Sequence, residues 1–249
     1  MEWTDEGLVI GFRRHGEGSA IVELMTRERG RHLGLVRGGV SRRQASVLQP
    51  GNRVRAIWRA RLEAQLGHFV LEPVSERAGR LMRLPHGAYG LSYLSALLHL
   101  LPERDPHPGL FMVCDAILDA FDAPADAGAL LARFELMVLK DLGFGLELER
   151  CAATGGANDL IFVSPRTGRA VSAAAGAPYA ERLFALPTFL LGAVLPPSGA
   201  DVDDGLRLTG YFLSRRIFEP RGLALPDTRH GFLTALHRAR EAGTDRIRG

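Results

Sequence analysis

The chain has 249 residues, 46% of them hydrophobic and 24% charged, with a formal net charge of +3. That balance belongs to a globular protein and excludes a disordered or fibrous one, and no apolar run approaches the ~20 residues that span a bilayer. The opening MEWTDEG is acidic where a secretory leader is basic, which points to the cytoplasm, and two cysteines, Cys114 and Cys151, are too few for a disulfide framework.

The first 75 residues alternate with period two, the pattern of half-buried strands. In GLVIGFR, Leu8, Ile10 and Phe12 share one face; in SAIVELM, Ala20, Val22 and Leu24 do. TRERGR turns at Gly30, RHLGLVR follows as a third strand, and Pro50-Gly51 marks the next turn. In NRVRAIWRARL the alternation is clearest: Arg53, Arg55, Arg59 and Arg61 fall on one side, and Val54, Ala56, Trp58, Ala60 and Leu62 on the other. HFVLEPV closes the set. Five strands joined by short turns predict a small closed barrel of SH3-like or OB type, with Phe12, Trp58 and Phe69 on its apolar faces.

After Arg77 the period lengthens. YGLSYLSALLHLL, GLFMVCDAILDAF and ALLARFELMVLKDLGFG carry apolar residues three and four apart, as amphipathic helices do. The stripe Leu130, Leu131, Phe134, Met137, Val138 and Leu142 ends at Gly143, a suitable C-terminal cap. PERDPHPG and DAPADAG separate these helices. Cys114 falls inside the second of them, as an inert core residue. Helical patterns return in YAERLFALPTFLLGAV and GLRLTGYFLSRRIFEPRG, and the polar tail EAGTDRIRG reads as disordered. The fold class is α+β: a barrel over residues 1–79, a helical domain over 80–249, and a small loop-rich insert at 151–178.

The charge is unevenly spread. Residues 10–61 hold twelve arginines against Glu17, Glu23 and Glu28. Such a row repels itself unless acids from elsewhere in the fold or an external polyanion neutralise it, and nucleic acid is the polyanion that arginine suits best. The face of Arg53, Arg55, Arg59 and Arg61 is one candidate surface. The inter-strand segments FRRHGEGS and RGGVSRRQAS supply a second, with Arg13, Arg14, Arg37, Arg42 and Arg43; TRERGR adds Arg27, Arg29 and Arg31. With few aromatics between the arginines, contact to the phosphate backbone with little sequence choice is expected. An RNA-binding or translation-associated adaptor and a scaffold for an acidic protein remain open alternatives.

Catalytic signatures are missing: no G-x-x-x-x-G-K-[ST], no H-E-x-x-H and no G-x-S-x-G occurs, and the eight histidines share no metal-ligand spacing with a nearby cysteine or acid. No enzymatic activity and no cofactor is expected. The stretch CAATGGANDLIFVSPRTGRAVSAAAGAP has the outline of a zinc ribbon without its ligands: Cys151 stands alone, Thr154 takes the second position, and SAAAGAP offers none. A structural zinc needs four nitrogen or sulfur ligands, so no metal is expected; alanine and glycine would fill the space, with Leu160, Ile161, Phe162 and Val163 as a small core.

Taken together, several of these segments resemble the RecO family of DNA repair proteins, which are recombination mediators. H-G-E at His15–Glu17, T-x-x-x-G-R at Thr26–Arg31 and R-G-x-x-S at Arg37–Ser41 occur in that family's order. RFELMVLKDLGFGLELERCAATG, SPRTGRAVS and LTGYFLSRRIFEPRG are similar to its central helix, zinc segment and closing helix. The resemblance implies an OB barrel followed by a helical domain, with the zinc segment degenerate at three of four positions. It further implies binding of single- and double-stranded DNA, strand annealing, and loading of RecA recombinase with RecR onto DNA coated by single-stranded-DNA-binding protein (SSB). For the acidic, hydrophobic SSB tail it points to Arg133, with Lys140 seven residues on along the same helix face; a plain rim charge pairing with Glu135 or the neighbourhood of Glu147 is the alternative for Arg133.

Overall fold

The computed structural model describes residues 1–192 and 196–248, with side chains in the last helix described as far as Glu241. Five strands, β1 (Glu2–His15), β2 (Ser19–Thr26), β3 (Gly30–Val36), β4 (Arg53–Arg59) and β5 (His68–Ser75), close into a barrel in the order β1-β2-β3-β5-β4. A short helix, α1 (Arg42–Val47), separates β3 from β4. All pairings are antiparallel except β3 with β5, which meet in parallel through Leu35 and His68 alone. This order fits the OB type. The seam closes because Gly34 has no side chain: a Cβ there would run into the Phe69 ring.

The long strand β1 serves two neighbours. Glu2–Leu8 pair with β4 and Gly7–His15 with β2, and the register shifts between Val9 and Gly11. This irregularity re-aims the side chains. Leu8, Val9 and Ile10 are buried in succession, yet only Val9 belongs to the barrel core with Val22, Leu24, Val54, Ala56, Trp58 and Phe69. Leu8 and Ile10, expected to line that core, therefore lie on the outer face, while Phe12, beyond the shift, stands opposite the core residue Val22 and is 40% exposed.

Helices cover this outer face. After α2 (Ala78–Leu81) come α3 (Gly87–Leu98) and α4 (Pro108–Asp119), and Ser95 of α3 donates to the Ile10 carbonyl at 2.8 Å. One compact unit comprises Met1–Asp122 with Thr228–Ala239, and the other Ala123–Asp227 with Arg240–Gly249. The first unit thus extends past residue 79, where the period changes, because the barrel's outer apolar residues need the helices to leave water.

Within that unit Arg77 is 5% exposed and fully occupied. Its guanidinium donates to the Gly51 and Asp115 carbonyls, to Asp119 and, at 2.5 Å, to the Asp115 carboxylate. The second Asp115 oxygen accepts from Arg53 of β4 at 2.8 Å. Next to it the buried Asn52 donates to the Ser46 and Val47 carbonyls and accepts from Ala78 N–H.

In the second unit α5 (Pro124–Asp141) packs on α7 (Gly199–Leu213). Pro124 opens α5, and Gly143, at φ +85°, follows its end, as the sequence suggests. Ser198 and Asp201 form a reciprocal capping box at the start of α7. The two helices also share a buried polar contact, in which the Thr209 hydroxyl donates to the Glu135 carboxylate.

Between them β6 (Leu160–Val163) pairs with β7 (Ala170–Ser172) and β8 (Phe184–Ala185), with the short α6 (Ala173–Gly176) following β7. YAERLFALPTFLLGAV is not the α-helix its period suggests. It folds as a 3-10 turn, strand β8 and a second 3-10 turn through Leu191, with Pro187 between the last two, and its last two residues lie outside the described ones. Ile161 is exposed and does not join Leu160 and Val163 in the small core. The last helix, α8 (Asp227–Arg248), takes in the tail expected to be disordered, and its Phe232 packs on Phe121 and His86.

Asp115→Ala leaves the buried Arg77 short of its main carboxylate and is expected to cost about 3 kcal/mol of unfolding free energy, seen as a lower urea midpoint with unchanged slope. A milder effect follows from His99 at the end of α3, whose Nε2 lies 2.8 Å from Glu23. The hydrogen bond to Glu23 raises the His99 pKa against the pull of burial. A raised folded pKa adds stability that is complete below ~6.5 and is lost as pH climbs through the folded value. The imidazole is 44% exposed, so the loss is a fraction of a kcal/mol. Between pH 6 and 8 the wild-type urea midpoint should fall more than that of His99→Gln.

Candidate nucleic-acid interface

The arginines divide into those already answered by carboxylates and those left over. On β4, Arg53, Arg55 and Arg59 do face outward together, and Arg61 lies past the strand's end. This face is not the uncompensated row expected. Arg59 is held by both oxygens of Glu2, at 2.9 and 3.0 Å, and Arg53 by Glu6 and Asp115. Arg55 stands in register between Glu6 on β1 and Glu72 on β5. These hydrogen bonds hold the Arg53 and Arg59 guanidiniums above their usual pKa. The partners come from outside residues 10–61, which is why a count inside that window finds too few acids.

The β2–β3 turn is also partly committed. Arg31 pairs with Glu23 and donates to the Leu101 carbonyl; Arg27 lies 3.5 Å from Glu28; Arg29 sits over the Trp3 ring at 6.0 Å.

The other end of the barrel differs. Arg14 pairs with Ala20, which pairs with Val36, so Arg13 and Arg14 come beside the loop that Arg37 opens. Gly39 lies tight against Ala20, where a Cβ would approach its methyl to 2.8 Å, and this brings the loop onto β2. Ser41 then caps α1, accepting from Gln44 N–H, and Arg42 and Arg43 begin that helix. Among the described residues none of Arg13, Arg14, Arg37, Arg42 and Arg43 has an ion pair, nor do Arg55 and Arg61. A groove of about 400 Å³ adjoins this cluster, with Arg37, Gln44, Arg59 and His68 on its walls and exposed Val70 along it. Guanidiniums without internal partners around an open groove are what a polyanion's phosphates require.

Residues 1–75 match the domain described as Recombination protein O N terminal, and residues 85–223 match Recombination protein O C terminal. The chain belongs to the RecO family. It is 64% identical over 239 residues to the DNA repair protein RecO of Xanthobacter autotrophicus, covering 96% of this chain and 98% of that one. The proteins of the same name from Methylobacterium nodulans and a Bradyrhizobium strain are 56% and 55% identical over 94% and 96% of this chain, and 97% and 98% of theirs. A role in recombinational DNA repair fits both domains, and the shared name carries no enzymatic activity. Among the described residues no helix is long and apolar enough to cross a membrane.

For a RecO-family chain the second unit raises two questions, a partner site and a metal. Arg133 donates through Nε and Nη2 to the Phe189 carbonyl, at 3.1 and 2.9 Å, and lies over the Phe189 ring, so its hydrogen bonds are partly used inside the unit. Lys140 is exposed, and Glu135 accepts from the Thr209 hydroxyl. In the insert the buried Cys151 sulfur accepts from Ser172 N–H at 3.3 Å and lies 3.4 Å from its hydroxyl. The residue opposite the cysteine is thus Ser172, and Gly176 lies under the Phe162 ring. One thiol among hydroxyls does not fit a structural zinc, and no group of three or more His, Cys, Asp or Glu is placed to hold a metal among the described residues. Burial pushes the other thiol, Cys114, up to about 12, where it is unreactive.

Sequence reading overlooked Glu2, Glu6 and Asp115 as partners of the arginines, and Trp3 and His32 as ring neighbours of Trp58. A signal was present for the first two: Glu2, Thr4 and Glu6 alternate on β1 as the arginines do on β4.

Proposed function

We propose that this chain is a non-enzymatic recombination mediator whose barrel holds the DNA backbone, and the observation that carries this is the gathering at one end of the barrel of five arginines with no ion pair among the described residues. Phosphates of single- or double-stranded DNA bind there without base readout. Neutralising the phosphates of two strands lowers their mutual repulsion, so complementary strands anneal by their own pairing. In the cell the chain acts in the cytoplasm at the nucleoid, and works with RecR to load RecA onto SSB-coated DNA. The second unit takes the SSB tail at Lys140 and Arg133, a cationic pair beside an apolar helix face suited to an acidic peptide with a terminal aromatic residue.

Anisotropy of a labelled single strand across a salt series tests the DNA reading. Each lost phosphate contact reduces the log–log slope by about 0.7. Changing Arg13, Arg14, Arg37, Arg42 and Arg43 to serine is expected to flatten the slope far more than changing Arg55 and Arg59, whose carboxylate neighbours already offset them. An RNA strand that displaces DNA at equal concentration would instead favour an RNA adaptor, and a wild type that does not bind at all would end the proposal. For the tail, an acidic peptide ending in phenylalanine should bind Lys140→Glu at least several-fold more weakly than wild type by calorimetry; equal affinity would remove Lys140 from the site.

A further inference from the structure

The barrel has a second concavity, of about 310 Å³, at the mouth where β1 starts and the β2–β3 turn lies. Three rings, Trp3, His32 and Trp58, line it beside charged residues. The Trp3 and Trp58 rings stack with centroids 5.7 Å apart and planes 17° off parallel, and His32 meets both edge-on at 5.1 and 5.0 Å. Trp58 is buried and fixed by its Nε1 donating to the Leu66 carbonyl at 3.0 Å, while Trp3 stays partly open. We propose that this mouth is a nucleobase pocket, in which one base of a bound strand stacks on Trp3 beside the Arg29 guanidinium. The inference rests on the reading that the barrel binds nucleic acid, and adds to it a contact with bases rather than phosphates.

Three features select that ligand class. Arg29 lies 6.0 Å from Trp3 and Arg104 5.9 Å from Trp58, so a ligand ammonium entering here would meet like charge beside both rings. Arg104 is anchored there through the Glu63 and Gln65 carbonyls. A neutral planar group can still stack on the rings and the guanidinium plane, as unpaired bases do. Second, Glu2, Glu28 and Glu63 share the mouth with Arg29 and Arg104, so its lining has no excess positive charge to draw phosphate in, and the base end enters while the backbone stays outside. Third, His32 has its Nδ1 3.0 Å from the Leu33 carbonyl, which places the proton there and leaves Nε2 as an acceptor for a base N–H. Burial lowers the pKa of this imidazole and keeps it neutral.

The mouth also adjoins the phosphate groove. Arg59 lines the groove, Glu2 lines the mouth, and the two are bonded to each other. A strand lying in the groove needs only to pass this ion pair to present a base to Trp3.

Both tryptophans of the chain are at this site, so their emission reports it directly. An intact single strand and an abasic strand of equal length and charge would be titrated into the full chain, following anisotropy and tryptophan emission together. The intact strand should quench the emission and bind about tenfold tighter, whereas the abasic strand should bind without quenching. Trp3→Ala should lose the tenfold preference, Trp3→Phe should keep most of it, and Arg29→Ala should reduce it; far-UV circular dichroism establishes that each variant folds. If both strands bind equally and the emission does not change, the base pocket is overturned and phosphate binding stands. If neither strand binds, the phosphate reading fails and the pocket falls with it.

Discussion

Arg77 holds the barrel unit together at a point where strands and helices would otherwise have separate fates. A guanidinium 5% exposed is tolerable only if its donors are met, and here they reach Gly51 at the turn before β4, the Asp115 carboxylate and carbonyl, and Asp119 at the end of α4. Asp115 then extends the link to Arg53, and Arg53 to Glu6 on β1. One connected set of charges therefore sets how α4 lies on the barrel. Apolar burial of Leu8, Ile10, Ile21 and Met25 supplies the drive for covering the barrel, but it is non-directional; the ion network supplies the register.

The same network decides what the surface can do. Arginines that settle an internal carboxylate are structural charges, and those on β4 mostly do so. What remains for an external anion is the set with no internal partner, and strand register puts most of it at one end of the barrel, on the β1–β2 corner and the loop into α1. A chain with a net charge of only +3 can thus present a strongly basic patch, because Glu2, Glu6, Glu23, Asp115 and Asp119 are spent on other arginines.

At the other mouth the surface is of a different kind, aromatic and mixed in charge. The Trp3–Trp58–His32 cluster also closes the end of the barrel core, with Phe69 completing it and lying over Gly34 at the β3–β5 seam. A rigid ring platform built from core residues costs little to keep ordered, since its side chains are already fixed by packing. The basic groove and this aromatic mouth lie on either side of the Arg59–Glu2 pair.

Much of this was legible in the residues alone. Period-two alternation identified five strands, three- and four-residue spacing identified α3, α4 and α5, Gly143 marked a helix end, and the ordered motifs pointed to the RecO family, because each of these depends on neighbours a few residues away. The failures were non-local or local exceptions. YAERLFALPTFLLGAV has helical spacing but folds around a strand with Pro187 just beyond it, and the irregularity in β1 split the apparent common face of Leu8, Ile10 and Phe12, leaving Leu8 outside and Phe12 opposite the core residue Val22. The pairing of arginines was beyond any windowed count, since Arg53 finds Glu6 47 residues away and Asp115 62 residues away. Sequence by itself determined which residues are basic, apolar or turn-forming, for those are properties of side chains and short-range geometry. Only the tertiary structure decided which charges cancel, because cancellation depends on the distance between groups in space, and the barrel's closure sets that distance.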